Sequence, residues 1–383
     1  MSLLIEDSPR NLLLWITQGI KDGIADGAVI SPFCSPVGHL AHRRSGAEMV
    51  AGVQKIGGAA FFDAATHALQ FPRCGDFRYY DSYRLWGGTR GDLSSPRRLE
   101  DHVDRVSETQ DSLGVPRLAP TVLLRSPSGP DAATAVAMAD IAKTRDAGTW
   151  LTIAGDEQFW SSGPSLDAHI GAMAQFEPTG YFLVVTRATG ALPVPARRDE
   201  TAGLARSARS LSEYSRVHIS HGDLAGLPAV AAGADSVGTG WDQRQMMFSG
   251  VHYEARPADP GDGGGWYQRA TLRHVFGRVK PAEYVSLHRR NRTLAEAVTP
   301  LQIAPYGPKT VYRHHLRQLS SVVDSILSAA PGEDRYRLLS DSYAAASATW
   351  PGVQTAGITE QAAKDWIEEL SAGLEIYARA EGW

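Results

Sequence analysis

The chain has 383 residues, of which 43% are hydrophobic and 21% charged, with a formal net charge of −4. This balance excludes a disordered chain and a small disulfide-stapled domain, and it argues against indiscriminate nucleic-acid binding, although an average can hide a basic patch. No apolar run reaches membrane-spanning length, the N-terminus carries Glu6 and Asp7 in place of a basic-then-apolar leader, and Cys34 and Cys74 are the only cysteines; the expectation is a cytoplasmic protein with no membrane partner.

In chain order, short apolar segments run into turns or polar residues. They are Ala28–Ile30, Ala59–Phe62, Thr121–Leu124, Trp150–Ile153, Tyr181–Val185, Val217–Ile219 and the weaker Ser236-Val237. Between them lie amphipathic or alanine-rich stretches such as 131–146, 166–176, 201–214 and 224–232. Strand then helix, repeated, predicts a parallel sheet with helices outside. Seven or eight units over residues 1–280 favour an α/β fold of the (β/α)₈ TIM-type barrel class. An open doubly wound sheet is the alternative, but no G-x-G-x-x-G follows the first strand, and Gly261–Gly265 follows no strand and reads as a loop.

Residues 281–383 change character and predict a basic segment and a helical C-terminal extension, with helices over 314–329 and 335–349 and a last one from Thr359. Between Tyr284 and Gln318 the chain holds Arg289, Arg290, Arg292, Lys309, Arg313 and Arg317 against one acid, Glu296, with Tyr306 and Tyr312 interleaved. Arg289, Arg290, Arg292, Lys309 and Arg313 are therefore the candidate contacts to a nucleic-acid backbone.

Chemistry-bearing residues gather at the predicted strand ends: Asp63, Arg125, Asp156, Glu157, Arg187, His221, Asp223 and Asp242. In a barrel these converge on one face. Asp63 stands out, because the buried run ending at Phe62 stops on it and aromatic and basic residues, including Tyr79 and Tyr80, follow. Metal ligation finds little support: there is no H-x-H or H-E-x-x-H, the cysteines lack zinc spacing, and His218 and His221 fall on opposite faces of a strand. The trio His221, Asp63 and Asp223 is the remaining possibility for a metal; none is assigned, and no cofactor is expected.

The segment Phe61-Phe62-Asp63-Ala64-Ala65-Thr66-His67-Ala68-Leu69-Gln70 resembles the strand and aspartate-bearing turn of the tRNA-guanine transglycosylase superfamily. The segment from His218 through His221-Gly222 and Asp235 to Asp242 is similar to a second stretch of that family, which leads to its catalytic nucleophile. The family's cysteine-rich zinc motif is absent, and Gly238 occupies the position that best matches the nucleophile, flanked by Asp235 and Asp242. The resemblance implies a barrel acting on N-glycosidic bonds in nucleic acid. It implies Asp63, Asp242 and Asp235 as candidate catalytic acids, with His67, Tyr79, Tyr80, Asp156, Arg187, His221 and Gly222 around the substrate.

Base exchange with retention requires a nucleophile to hold the sugar. With Gly238 in its place, hydrolysis is the expected reaction: a glycosylase that excises a modified base from DNA in preference to tRNA, serving repair or defence against phages with altered bases. The target base must leave the stack to be reached. The alternatives are a base-exchanging transglycosylase and a non-catalytic barrel that binds nucleic acid.

Overall fold

A computed structural model describes residues 1–190, 196–255, 269–299, 307–358 and 364–383. The Gly261–Gly265 run, Tyr306 and the expected helix start at Thr359 lie outside the described residues. Eight strands form the main sheet: β1 (Leu3–Glu6), β2 (Gly27–Ile30), β3 (Ala59–Phe62), β4 (Leu123–Leu124), β5 (Trp150–Asp156), β6 (Gly180–Arg187), β7 (Arg216–Ser220) and β8 (Ser236–Thr239). They pair in parallel in the order β3-β2-β1-β8-β7-β6-β5-β4. The first strand thus lies beside the eighth, and the sheet curls.

The backbone ladder is open between β3 and β4 among the described residues. Glutamine side chains span the gap. Gln110 Nε2 donates to Phe62 O (2.9 Å) and Leu118 O (2.8 Å), its Oε1 accepts from Leu118 N (3.2 Å), and Gln70 Oε1 accepts from Leu123 N. A side-chain amide carries the same donor and acceptor as a peptide group, so it satisfies edge groups that a neighbouring strand would otherwise take.

Alternation along each strand separates two cores. Leu4, Val29, Phe61, Leu118, Trp150 and Phe182 face inward as one cluster, with Phe61 edge-on to Trp150 (5.1 Å between centroids) and to Phe182 (5.0 Å). Their neighbours Leu3, Ile5, Ala28, Ile30, Phe62, Leu151, Leu183 and Val237 face outward against the helices. The period of two then puts Glu6 above Leu4, Asp63 above Phe61, Ser220 above His218 and Gly238 above Ser236, in the next inward layer toward the strands' C-terminal ends.

Helix Pro308–Ser328 packs beside β8 and against helices Leu13–Lys21 and Leu227–Ala232, and Tyr312 on it stacks on Trp15 (5.2 Å). Ahead of it, β10 (Ala270–Leu272) and β11 (Gly277–Val279) form an antiparallel pair; the strand before them, β9 (Phe248–Ser249), adds to β6 at the sheet's C-terminal end. The last helix, Lys364–Glu381, lies on Arg198–Ser212, where Gly373 permits close approach: a β-carbon there would meet Thr201 Cβ at 2.5 Å. Among the described residues no helix is long and apolar enough to cross a membrane.

Candidate functional site

Two inward carboxylates define the centre. Glu6, the last residue of β1, accepts from Ser220 Oγ (2.8 Å) and the His221 backbone N–H (3.0 Å), with His218 Nε2 at 3.6 Å and His221 Nε2 at 3.7 Å. Burial alone would raise its pKa, but the His221 and His218 imidazoles and these donors outweigh it and hold the group below its ordinary value. Asp63, just past β3, behaves oppositely. Burial pushes its pKa to about 7 against the single bond from Ala65 N (2.7 Å), and the nearby Glu6 charge adds to the rise. Near neutral pH one acid is therefore ionised while the other still carries much of its proton, the separation that acid–base catalysis needs.

Gly238 makes this arrangement possible. A β-carbon on residue 238 would overlap Glu6 Oε1 and lie 2.8 Å from the His221 nitrogen. Glu6 thus occupies the space that a side chain on β8 would fill.

The turn after β7 is strained, since His221 and Asp223 sit at φ 53° and 44°, in the left-handed region. This conformation lets both His218 and His221 approach Glu6, correcting the expectation that they face opposite sides; the strand ends at Ser220, so period-two alternation does not extend to residue 221. Asp223 anchors the turn, being buried and bonded to Thr239 Oγ1 (3.1 Å), His315 Nε2 (3.0 Å) and Arg278 Nη1 (3.2 Å). Burial opposes its ionisation, yet His315 and Arg278 more than offset that and lower its pKa.

A cap covers the centre. Phe248 on β9 lies against His67 (4.5 Å), His221 (5.1 Å) and Tyr253 (4.8 Å), and Phe33 packs on Tyr80 (4.6 Å). Burial lowers the His67 pKa to about 3, so its ring is neutral. His67 Nε2, Thr152 Oγ1 and Ser249 Oγ are buried without hydrogen-bond partners among the described residues. Unpaired polar atoms of this kind mark places where water or a ligand completes the network. Beyond Phe248, past Phe71 at 5.8 Å, opens a cavity of about 430 Å³ lined by Phe71, Leu123, Arg125, Asp156, Arg187 and Val251 among others.

The sequence-derived candidates separate into groups. Asp63, His67 and His221 meet at the centre; Gly222 packs at the turn, where a β-carbon would come within 2.8 Å of Ile219 and Val237 methyls. Asp156 and Arg187 line the cavity, Asp156 also capping the next helix through Phe159 N (2.9 Å) and Arg187 forming a buried pair with Glu200. Tyr80 is buried in the cap, and its hydroxyl accepts from Trp86 Nε1 (3.2 Å); Tyr79 is outside, with Arg43 over its ring at 5.0 Å. Asp242 accepts from Gln245 N (3.3 Å) as an N-cap. Asp235 precedes β8 at the opposite end of the sheet and accepts from Val217 N (2.7 Å), because an acid that leads into a parallel strand lies on the rim away from the acids that follow strands. Among the backbone candidates, Arg289, Arg290 and Lys309 are exposed, whereas Arg292 pairs with Glu296 (2.7 Å) and Arg313 with Asp22.

Sequence reasoning passed over Glu6, Asp7, His218 and Arg244 as site residues. A signal for the first two was present: Leu3-Leu4-Ile5 running into Glu6-Asp7 repeats the pattern of Phe61-Phe62-Asp63. Asp7, pushed by burial to about 6, accepts from Ser35 Oγ (2.8 Å), Ser31 N (3.2 Å) and Ser8 N (2.8 Å) and so ties the loops after β1 and β2 together. No group of three or more ligand-type side chains suited to a metal ion occurs among the described residues. No model of a known protein family matches the chain, and no curated protein does.

Proposed function

We propose that the curled eight-stranded sheet is a (β/α)₈ barrel that hydrolyses an N-glycosidic bond, excising a modified base from DNA. The observation that carries this reading is the split acid pair. Near neutral pH Asp63 still holds part of its proton and Glu6 does not, although both lie at the C-terminal ends of their strands.

In this reading Asp63 donates its proton to the departing base as the bond between base nitrogen and sugar carbon breaks. The Glu6 carboxylate, fixed by Ser220 and the His221 backbone, stabilises the cationic sugar. Water then adds to the sugar carbon and returns a proton to Asp63, leaving a free base and an abasic sugar. The neighbouring cavity, with apolar walls and Asp156 at its edge, suits a flat heterocycle removed from the stack. Exposed Arg289 and Lys309 suit a phosphate backbone, and free Cys34 and Cys74 suit a reducing cytoplasm.

The test is incubation with plain and base-modified DNA, reading released bases by mass spectrometry and abasic sites by strand cleavage. Released base with abasic sites, lost in Asp63→Asn, supports hydrolysis. Release with an intact, substituted strand means base exchange. Tight binding with no release from any modified DNA means a binding barrel.

A further inference from the structure

Arg244 lies under the cap, 5% exposed, with no carboxylate at ion-pair distance among the described residues. Its Nη1 donates to the His252 carbonyl (3.3 Å), and its Nη2 has no acceptor. The guanidinium faces the Tyr253 ring at 4.1 Å and the Phe33 ring at 5.6 Å. Ring stacking uses the face of the guanidinium; part of its edge is met by the His252 carbonyl and the Tyr253 side chain, and Nη2 is left without an acceptor.

Of the neighbouring acids, Asp76 acts on the guanidinium only from beyond ion-pair distance, and the other two are held by their own partners. Asp7 is held by Ser35, Ser31 and Ser8, and Asp242 caps Gln245. Burying a guanidinium is costly unless an anion compensates it. Arg244 also acts electrostatically on His221, whose ring lies 3.7 Å from Glu6, which ties the guanidinium to the acid pair's surroundings.

We propose that Arg244 is an anion subsite at the sheet's C-terminal end that receives a phosphate ester of the substrate, next to the sugar whose bond is cleaved. The identity of the ester as part of a nucleotide rests on the glycosylase reading; the anion subsite itself stands on Arg244. A guanidinium edge matches two phosphate oxygens in one plane, and a phosphate there would accept from Nη2 and neutralise the buried charge. Tyr253 and Phe33 fix the orientation of the fork, so the site discriminates by geometry as well as by charge.

The test is thermal unfolding of the full chain titrated with inorganic phosphate at constant ionic strength, set by chloride. The expected result is a saturable rise in Tm that Arg244→Gln abolishes and Arg244→Lys weakens by about tenfold in apparent Kd, since the ammonium keeps the charge but not the fork. Asp63→Asn should leave the phosphate effect intact, so the subsite can stand even if glycosylase activity is absent. A second arm compares a nucleoside 5′-monophosphate, a short single-stranded oligonucleotide and the uncharged nucleoside. Preference for the first over the nucleoside assigns a terminal phosphate, and preference for the oligonucleotide assigns an internal diester. Should Arg244→Gln fail to fold, the arginine side-chain NMR signals of the wild type take its place, with one guanidinium shifting on phosphate addition. No saturable phosphate effect on the wild type, or an equal effect in Arg244→Lys and Arg244→Gln, overturns the proposal.

Discussion

Gly238 on β8 and Glu6 on β1 share one volume: a β-carbon on the glycine would overlap the glutamate's Oε1. The paired strands place Leu4 beside Gly238, and Glu6, two residues further along, reaches back across to it. Gly238→Ala is therefore expected to displace the carboxylate and break its bonds from Ser220 and the His221 backbone. The cost should be about 1–3 kcal/mol of stability, as for overpacking in a tight interior, accompanied by loss of any activity. Urea unfolding and base release measure the two effects. An alanine variant with unchanged stability would show that Glu6 can leave this position freely.

Asp63 supplies a prediction about pH. Its folded pKa of about 7 lies above the ordinary 3.8, so the folded state holds the proton more tightly than the unfolded chain. The resulting stabilisation is complete below about pH 4 and is lost as pH rises to about 7, with a limiting slope of ~1.4 kcal/mol per pH unit. Asp63→Asn lacks this slope, so its stability relative to wild type should increase from pH 4 to pH 7 and then level off. Urea unfolding across pH 4–8 tests it; parallel curves would mean that Asp63 titrates as an exposed acid.

Catalysis should lose the same group with the same sign. As general acid, Asp63 must be protonated, so turnover falls as pH rises through about 7, while the Glu6 requirement for ionisation sets the acid limb at lower pH. Asp63→Asn should reduce turnover by ~10²-fold or more with substrate binding retained. Base release measured over pH 4–9 gives both limbs, and a profile that lacks the alkaline limb would remove Asp63 from the acid role.

The seam between β3 and β4 depends on Gln110. Gln110→Leu is close in size but leaves the Phe62 and Leu118 carbonyls and the Leu118 N–H without their partner. Each buried group left unmade costs about 1–3 kcal/mol, so the variant should be among the most destabilised single changes in the chain. Denaturant unfolding and hydrogen exchange at Leu118 provide the readout.

Nucleic-acid binding should divide the basic residues. Replacing exposed Arg289, Arg290 and Lys309 should lower the log–log salt slope on single-stranded DNA by roughly 0.7 for each phosphate left without its cation. Arg292 and Arg313, already paired with Glu296 and Asp22, should contribute less. Filter binding of single-stranded DNA at several salt concentrations distinguishes them, and equal slopes for all five would show that the internal ion pairs open on binding.

The alternating strand–helix order and seven of the eight main-sheet strands are legible in consecutive residues, because a buried parallel strand must be a short apolar run between turns. Asp63 is legible for the same reason, since an acid ending such a run is a local signal. The partnership of Glu6 with His218 and His221 is not, because those residues are more than 200 positions apart and meet only where β1 lies beside β8 and near β7. Folding also separates Asp235 from Asp63: both flank strands, but one precedes β8 and the other follows β3, and direction along a parallel sheet decides which rim a side chain joins. The left-handed turn at His221 and Asp223 is equally hidden from local reading, being set by buried bonds from His315, Arg278 and Thr239 and not by local preference.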